Sequence, residues 1–169
     1  MHAPGYRPCE GCADGAAFPN FYDTFIRQRP AYRRARRKPI REMEYQYIDT
    51  PGALRDAIAR LQRFPVIGVD TEAAGYHRYL DRISLIQISS PEENLLIDPI
   101  ALEDLSSLGT VVSDAKIEKI FHDADYDLRL LHQDYGWNIR NIFDTRIAAQ
   151  LAGVRAFGLA ALLERYFAT

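Results

Sequence analysis

The chain has 169 residues, 47% of them apolar and 26% charged, with a formal charge of −2. That length buries one full core, and no apolar run approaches the ~18 residues that cross a bilayer, so a membrane-embedded class is excluded, and no leader pattern is read at the start. The two cysteines rule out a disulfide scaffold and point to a reducing, intracellular compartment, with the cytoplasm first and the nucleus second.

The small net charge hides a segregation. Residues 27–41 carry eight Arg or Lys and no acid, which leaves 13 of the 21 basic residues for the other 154 positions against all 23 acids. An acidic body with one basic stripe is not the make-up of a protein that coats DNA over its whole surface. Residues 1–44 read as a Pro/Arg-rich arm, partly disordered, because Pro4, Pro8, Pro19, Pro30 and Pro39 break any apolar period. Cys9 and Cys12 are spaced as C-x-x-C but lack the further ligands of a structural zinc site, so they read as free thiols.

From residue 45 to residue 169 the texture is that of a folded domain. A short strand is expected at 45–48, then a helix opened by Asp49-Thr50-Pro51 with Leu54, Ile58 and Leu61 on one face. Buried strands are expected at 64–69, 83–89 and 95–97, the last two joined by the turn Pro91-Glu92-Glu93-Asn94. A helix at 101–112 leads to a strand at 119–122. The face Ala124, Leu128, Leu131 and Tyr135 marks another helix, closed by Gly136. A strand at 139–143 and helices at 145–151 and 159–167 complete the series. Three successive strands followed by alternating helix and strand predict a mixed α/β sheet with helices on its faces.

Asp70-Thr71-Glu72 follows the strand ending at Val69. Alternate residues of an extended chain share a face, so the two carboxylates lie roughly 6–7 Å apart along the backbone. They repel, and their pKa values rise unless a cation sits between them. Such hard oxygen donors suit Mg²⁺ or Mn²⁺, although a polar strand end facing water has the same spelling. The run Asp123-Ala124-Asp125-Tyr126-Asp127 fails as a calcium loop, because Leu128 and Asp134 stand where Gly and Glu are required. Asp127 falls in the first turns of an amphipathic helix beside Leu128, Leu130 and Leu131, where it can face the strand bearing Asp70. Asp123 and Asp125 read as helix-start acids favoured by the dipole.

Val69-Asp70-Thr71-Glu72, Leu85-Ile86-Gln87-Ile88, Ile97-Asp98-Pro99, Phe121-His122-x-Ala124-x-x-Asp127-Leu128 and Phe143-Asp144-Thr145 occur in that order. This series resembles the ribonuclease D family of 3′–5′ exonucleases, the tyrosine type of the DEDD superfamily, over about residues 45–169. The resemblance implies a ribonuclease-H-like α/β fold, a three-stranded antiparallel meander followed by alternating helices and strands. It implies that Asp70, Glu72 and Asp127 are the catalytic, metal-binding residues, holding two divalent cations, Mg²⁺ or Mn²⁺, on the terminal phosphodiester. The implied reaction is hydrolysis of single-stranded nucleic acid, RNA before DNA, from a free 3′ end with release of nucleoside monophosphates. Tyr79, Gln87 and His122 become substrate neighbours. Arg33, Arg34, Arg36 and Arg37 read either as a phosphate-tracking strip or as a solvated tail or localisation signal.

His122-x-Ala124-x-x-Asp127 is also similar to the third motif of histidine-type relatives, in which the histidine is a base. That assignment needs a further metal-binding Asp between residues 72 and 122, and it places a terminal helix where a strand and two helices follow. His122 therefore reads as packed or as standing behind the ligands, and Asp144 as the cap of the next helix. The tyrosine-type pattern continues with Tyr-x-x-x-Asp downstream, but Tyr45 and Asp49 alone have that spacing, ahead of the first motif. The resemblance thus implies that the chain holds the front two-thirds of the catalytic domain. Either it is an exonuclease completed by a later segment and weak or inactive alone, or it is a non-catalytic nucleic-acid-binding or scaffold module. In both cases the last helix is expected to expose an apolar face.

Overall fold

Thr50 and Pro51 start the first helix as their chemistry dictates. Thr50 is extended (φ −125°, ψ 147°), its Oγ1 accepts the Ala53 N–H at 3.3 Å, and Pro51, with no N–H to satisfy, takes the first helical turn. The computed structural model describes residues 44–74 and 81–167. The arm with Cys9, Cys12, Arg33, Arg34, Arg36 and Arg37, and also Tyr79, lies outside the described residues.

Helix α1 (Pro51–Leu61) turns Leu54, Ala57, Ile58 and Leu61 inward and joins β1 (Gln46–Ile48) to β2 (Val66–Ala74). β2, β3 (Arg82–Ser89) and β4 (Asn94–Ile97) form the antiparallel meander, with Ile86 opposite Ile97 and Ile88 opposite Leu95. Then α2 (Ser106–Ser113), β5 (Glu118–Phe121), α3 (Asp125–Tyr135) and β6 (Ile142–Asp144) alternate, followed by α4 (Thr145–Leu151) and α5 (Leu159–Phe167). The six strands lie in the order β1-β4-β3-β2-β5-β6, with β5 parallel to β2 and β6 parallel to β5. β2 is therefore interior, flanked by the meander on one side and the parallel strands on the other. The main core gathers the sheet's aliphatic residues, including Ile67, Ile86, Ile97 and Phe121, with Leu54, Leu108 and Leu131 of the helices.

Three boundaries depart from the sequence reading. β2 runs on to Ala74, so Asp70 and Glu72 lie within the strand, opposite Gln87 and Leu85, rather than after it. The apolar signal stops at Val69 although the ladder to β3 continues, with a register irregularity between Glu72 and Ala73. α2 begins at Ser106, not 101. Asp98 Oδ1 accepts the N–H groups of Ile100 and Ala101, and Asp104 Oδ1 accepts that of Ser106, bonds that hold the chain in turns. The strand expected at 139–143 is confined to Ile142–Asp144, beginning after Asn141 in left-handed backbone (φ 54°).

Lys119 is fully buried in β5, and its Nζ donates to the carbonyls of Asp114 and Ile117, both at 2.6 Å. Burial pushes its pKa down, and Asp114 acts in the opposite sense. Lys119→Met removes the ammonium from both carbonyls of the α2–β5 turn, leaving Asp114 O with the Ile117 N–H at 3.2 Å and depriving Ile117 O of this donor. A loss of about 1–3 kcal/mol is expected in urea unfolding, and an unchanged midpoint would contradict this role.

A second, smaller cluster joins Ala149, Val154 and Leu162 with Phe157 and Tyr166. As expected, α5 carries an open apolar stripe, Leu159, Leu163 and Phe167, at a four-residue spacing. Among the described residues no helix is long and apolar enough to cross a membrane.

Candidate active site

Two strands and one helix build the site. β5 ends at Phe121, and the turn His122-Asp123-Ala124 sends the chain into α3. Asp123 takes left-handed backbone (φ 68°), which Asp tolerates better than most residues. This turn is held by Asp144, whose carboxylate accepts the N–H of Asp123 at 3.1 Å and that of Ala124 at 2.8 Å. The same carboxylate caps α4, accepting Arg146 N–H at 2.8 Å and Ile147 N–H at 3.2 Å. Burial pushes the Asp144 carboxyl up, but the four backbone donors outweigh it and hold the group below the ordinary carboxylate range. Asp144 thus caps the next helix as the sequence indicates, and it also stitches the start of α3.

Asp123 does not act as a helix-start acid. The cap position of α3 is Ala124, with no side-chain cap bond, and the Asp123 carboxylate pairs with Arg146. Its partner lies 23 residues on, beyond the reach of a local reading. Asp125 does stand in the first turn, paired with Arg129 at 3.0 Å.

Asp127 faces the sheet, 7% exposed. Its Oδ1 accepts the Thr71 N–H at 3.1 Å and the Thr71 hydroxyl at 2.5 Å, which ties α3 to β2 and fixes the carboxylate's direction. Sequence reasoning missed Thr71, whose partner lies 56 residues on. Asp70, level with Gln87 across the β2–β3 ladder, accepts that side chain's Nε2–H at 3.3 Å. Glu72 lies two positions further along β2.

The Asp70 residue is open to solvent, yet desolvation of its carboxyl is the leading cause that raises its pKa. Repulsion by Glu72 comes second, and the Thr71 N–H and His122 pull the other way. Burial likewise leads the rise of Asp127, with Asp70 adding to it and the Thr71 hydroxyl opposing it. The rise expected for Asp70 from neighbouring charge is thus present, but with burial in front.

His122 follows β5 as Asp70 follows the matching part of β2: each lies two residues past the Gly68–Ile120 pair. Its Nδ1 is 2.8 Å from Thr145 Oγ1, a partner that the sequence did not single out. In the first turn of α3 Tyr126 donates to Asp81 Oδ2 at 2.6 Å, and in its last turn Gln133 Nε2 donates to Asp81 O at 3.0 Å and Asp134 Oδ2 accepts the Ile83 N–H at 2.9 Å. The helix is therefore fastened to both strands of the β2–β3 pair.

Among the described residues no three His, Cys, Asp or Glu side chains close into a ready-made metal cage. Magnesium does not demand one, since it is held through one or two carboxylates, with phosphate oxygens and water completing its shell. The donor set fits such an ion in kind and in charge. Asp70 and Asp127 are hard oxygen donors whose ionisation is opposed by burial, by Glu72 at Asp70 and by Asp70 at Asp127, a repulsion that a divalent cation relieves.

A family model described as 3′-5′ exonuclease matches residues 45–169. The chain belongs to this 3′–5′ exonuclease family. Within the family, "Ribonuclease D" of Desulfotalea psychrophila is 40% identical over 107 residues, covering 63% of this chain and 29% of that protein. The crystal structure of Escherichia coli RNase D, an exoribonuclease involved in structured RNA processing, matches with a TM-score of 0.71 at 32% identity, over 75% of this chain and 34% of that one. Trypanosoma brucei RNase D, solved in complex with RNA U12, matches with a TM-score of 0.57 at 27% identity, over 64% of this chain and 40% of that one. This exonuclease-family chain spans a third or less of the length of the first curated relatives it matches. The ribonuclease-H-like arrangement, a meander followed by parallel strands with alternating helices, is the one observed.

Proposed function

We propose that the chain is a 3′–5′ exonuclease acting on single-stranded RNA with a free 3′ end and releasing nucleoside monophosphates, with two Mg²⁺ or Mn²⁺ ions held by Asp70, Glu72 and Asp127. The observation that carries this reading is the bond between Thr71 and Asp127, which sets a buried carboxylate of α3 against the strand that bears the other two acids. Bound divalent ions supply neutralisation of phosphate charge and a more acidic water at neutral pH.

The chain's own residues set the stage for that chemistry. Thr71 holds the Asp127 carboxylate in one direction, and Gln87 steadies Asp70 from the neighbouring strand. Gln87 and Tyr79 are proposed as neighbours of the terminal nucleotide, and Arg33, Arg34, Arg36 and Arg37 as a strip that follows the phosphates upstream. RNA is favoured over DNA because a ribonuclease D of the same family has been solved with RNA.

The test is a 5′-labelled single-stranded RNA incubated with Mn²⁺. Stepwise shortening from the 3′ end, abolished by a chelator and by a blocked 3′ end, is the expected result. RNA binding without shortening under any divalent ion, both by this chain and by a chain extended through a Tyr-x-x-x-Asp segment, would favour the non-catalytic binding module of the same fold.

A further inference from the structure

We propose that Thr145 fixes His122 as the tautomer with hydrogen on Nδ1, so that Nε2 is an acceptor for a hydroxyl hydrogen beside Asp70, supplied by a ribose or by the attacking water. The proposal deepens the exonuclease reading and rests on Asp70 being part of that site.

One hydrogen atom decides the tautomer. Thr145 Oγ1 lies 3.0 Å from the Phe121 carbonyl and 2.8 Å from His122 Nδ1. A carbonyl oxygen only accepts, so the single hydroxyl hydrogen of Thr145 goes to Phe121 O. Towards the imidazole, Oγ1 then has only lone pairs to offer, and Nδ1 must bring the hydrogen. A neutral imidazole with hydrogen on Nδ1 carries a bare lone pair on Nε2. The bond made by one ring nitrogen thereby decides what the other can do.

Placement gives that lone pair its use. Thr145 opens α4 directly after β6, on the side of β5 away from β2, and it engages Nδ1. Nε2, across the ring, is the nitrogen that Thr145 does not engage. Asp70 and His122 each lie two residues past Gly68–Ile120, the last pair that β2 and β5 form, and so at the same end of adjacent parallel strands. A positive charge on His122 would lower the Asp70 pKa, the weakest of the influences on that carboxyl. It is not read as a metal ligand, because hard Mg²⁺ and Mn²⁺ prefer oxygen, and among the described residues no three-ligand cluster forms. A neutral nitrogen acceptor beside carboxylates suits an O–H donor. Thr145 acts through His122 and is a positioning residue.

The first test reads the tautomer without any catalysis. In ¹⁵N-histidine-labelled protein at about pH 8.5, well above an ordinary histidine pKa, long-range ¹H–¹⁵N spectra should show His122 with a pyrrole-type Nδ1 and a pyridine-type Nε2. His122→Gln assigns the signal. Thr145→Ser should keep the pattern, and Thr145→Val should move His122 towards hydrogen on Nε2. A pyridine-type Nδ1 in the parent protein overturns the proposal.

The second test uses adenosine 5′-monophosphate and its 2′-deoxy and 3′-deoxy forms with the parent and with His122→Asn, which keeps a donor for Thr145 and removes Nε2. A loss of about five- to tenfold in affinity for the ribonucleotide, absent for one deoxy form, identifies the ribose hydroxyl that His122 holds. Unchanged affinities, with kcat for RNA shortening reduced at least tenfold and KM preserved, identify the water. Unchanged affinities and unchanged kcat overturn the proposal. If the parent protein binds no nucleotide, the exonuclease reading fails, whereas the tautomer is decided by the spectra alone.

Discussion

Asp70→Asn is expected to reduce 3′-end shortening by about two to three orders of magnitude, the scale of removing one electrostatic element from an active site, while the protein stays at least as stable as the parent. The two halves of this result have one cause. The folded-state pKa of Asp70 is raised, by burial first and by Glu72 second. For an acid shifted in that direction, the stabilising contribution is present below the ordinary carboxylate pKa and is lost as pH rises through the folded value. At neutral pH the ionised group therefore works against the fold, and a neutral amide of the same shape relieves that. The charge is retained for what it binds. Adding Mg²⁺ should raise the melting temperature of the parent by mass action and leave that of Asp70→Asn unmoved. The parent rate should also fall as pH drops through the raised carboxyl values of Asp70 and Asp127. An Asp70→Asn protein that shortens RNA at the parental rate would remove Asp70 from the site.

What the sequence makes legible is whatever its neighbours decide. Thr50-Pro51 opens α1, Gly136 closes α3 in left-handed backbone (φ 69°), and Asp144-Thr145 opens α4, each through chemistry within a few residues. Asp127 can be found because it falls on the buried side of an amphipathic stripe. The continuation of β2 past Val69 cannot be read in the same way, because its pairing is supplied by β3 and not by its own polar residues. Ile139 resembles a strand start since it is apolar, but like Trp137 it packs on the core as irregular chain, and Trp137 lies over Gly109 where a Cβ would stand 2.4 Å from its Nε1. Thr71, Thr145 and the Asp123–Arg146 pair stay hidden for a further reason. Their partners are 23 to 56 residues away, and a lone hydroxyl or acid gives no sign of a distant contact.

Asp144→Ala is expected to cost about 2–3 kcal/mol and to weaken any activity that depends on Asp127. Loss of the α4 cap alone accounts for about 1 kcal/mol, and leaving the Asp123 and Ala124 N–H groups without an acceptor adds a comparable amount. The folded pKa of Asp144 is lowered, so its contribution is present above the ordinary carboxylate pKa and is lost as pH falls through the folded value. Parent and variant should therefore differ most in urea at neutral pH and converge in acid. Asp144→Asn keeps one acceptor oxygen and should fall between them. The functional effect follows from position, because the turn that Asp144 holds is the one that launches α3 and aims Asp127 at Thr71. A parental urea midpoint in Asp144→Ala would show that the turn and the helix start are held by something else, and the path from β6 to the buried carboxylate would be broken.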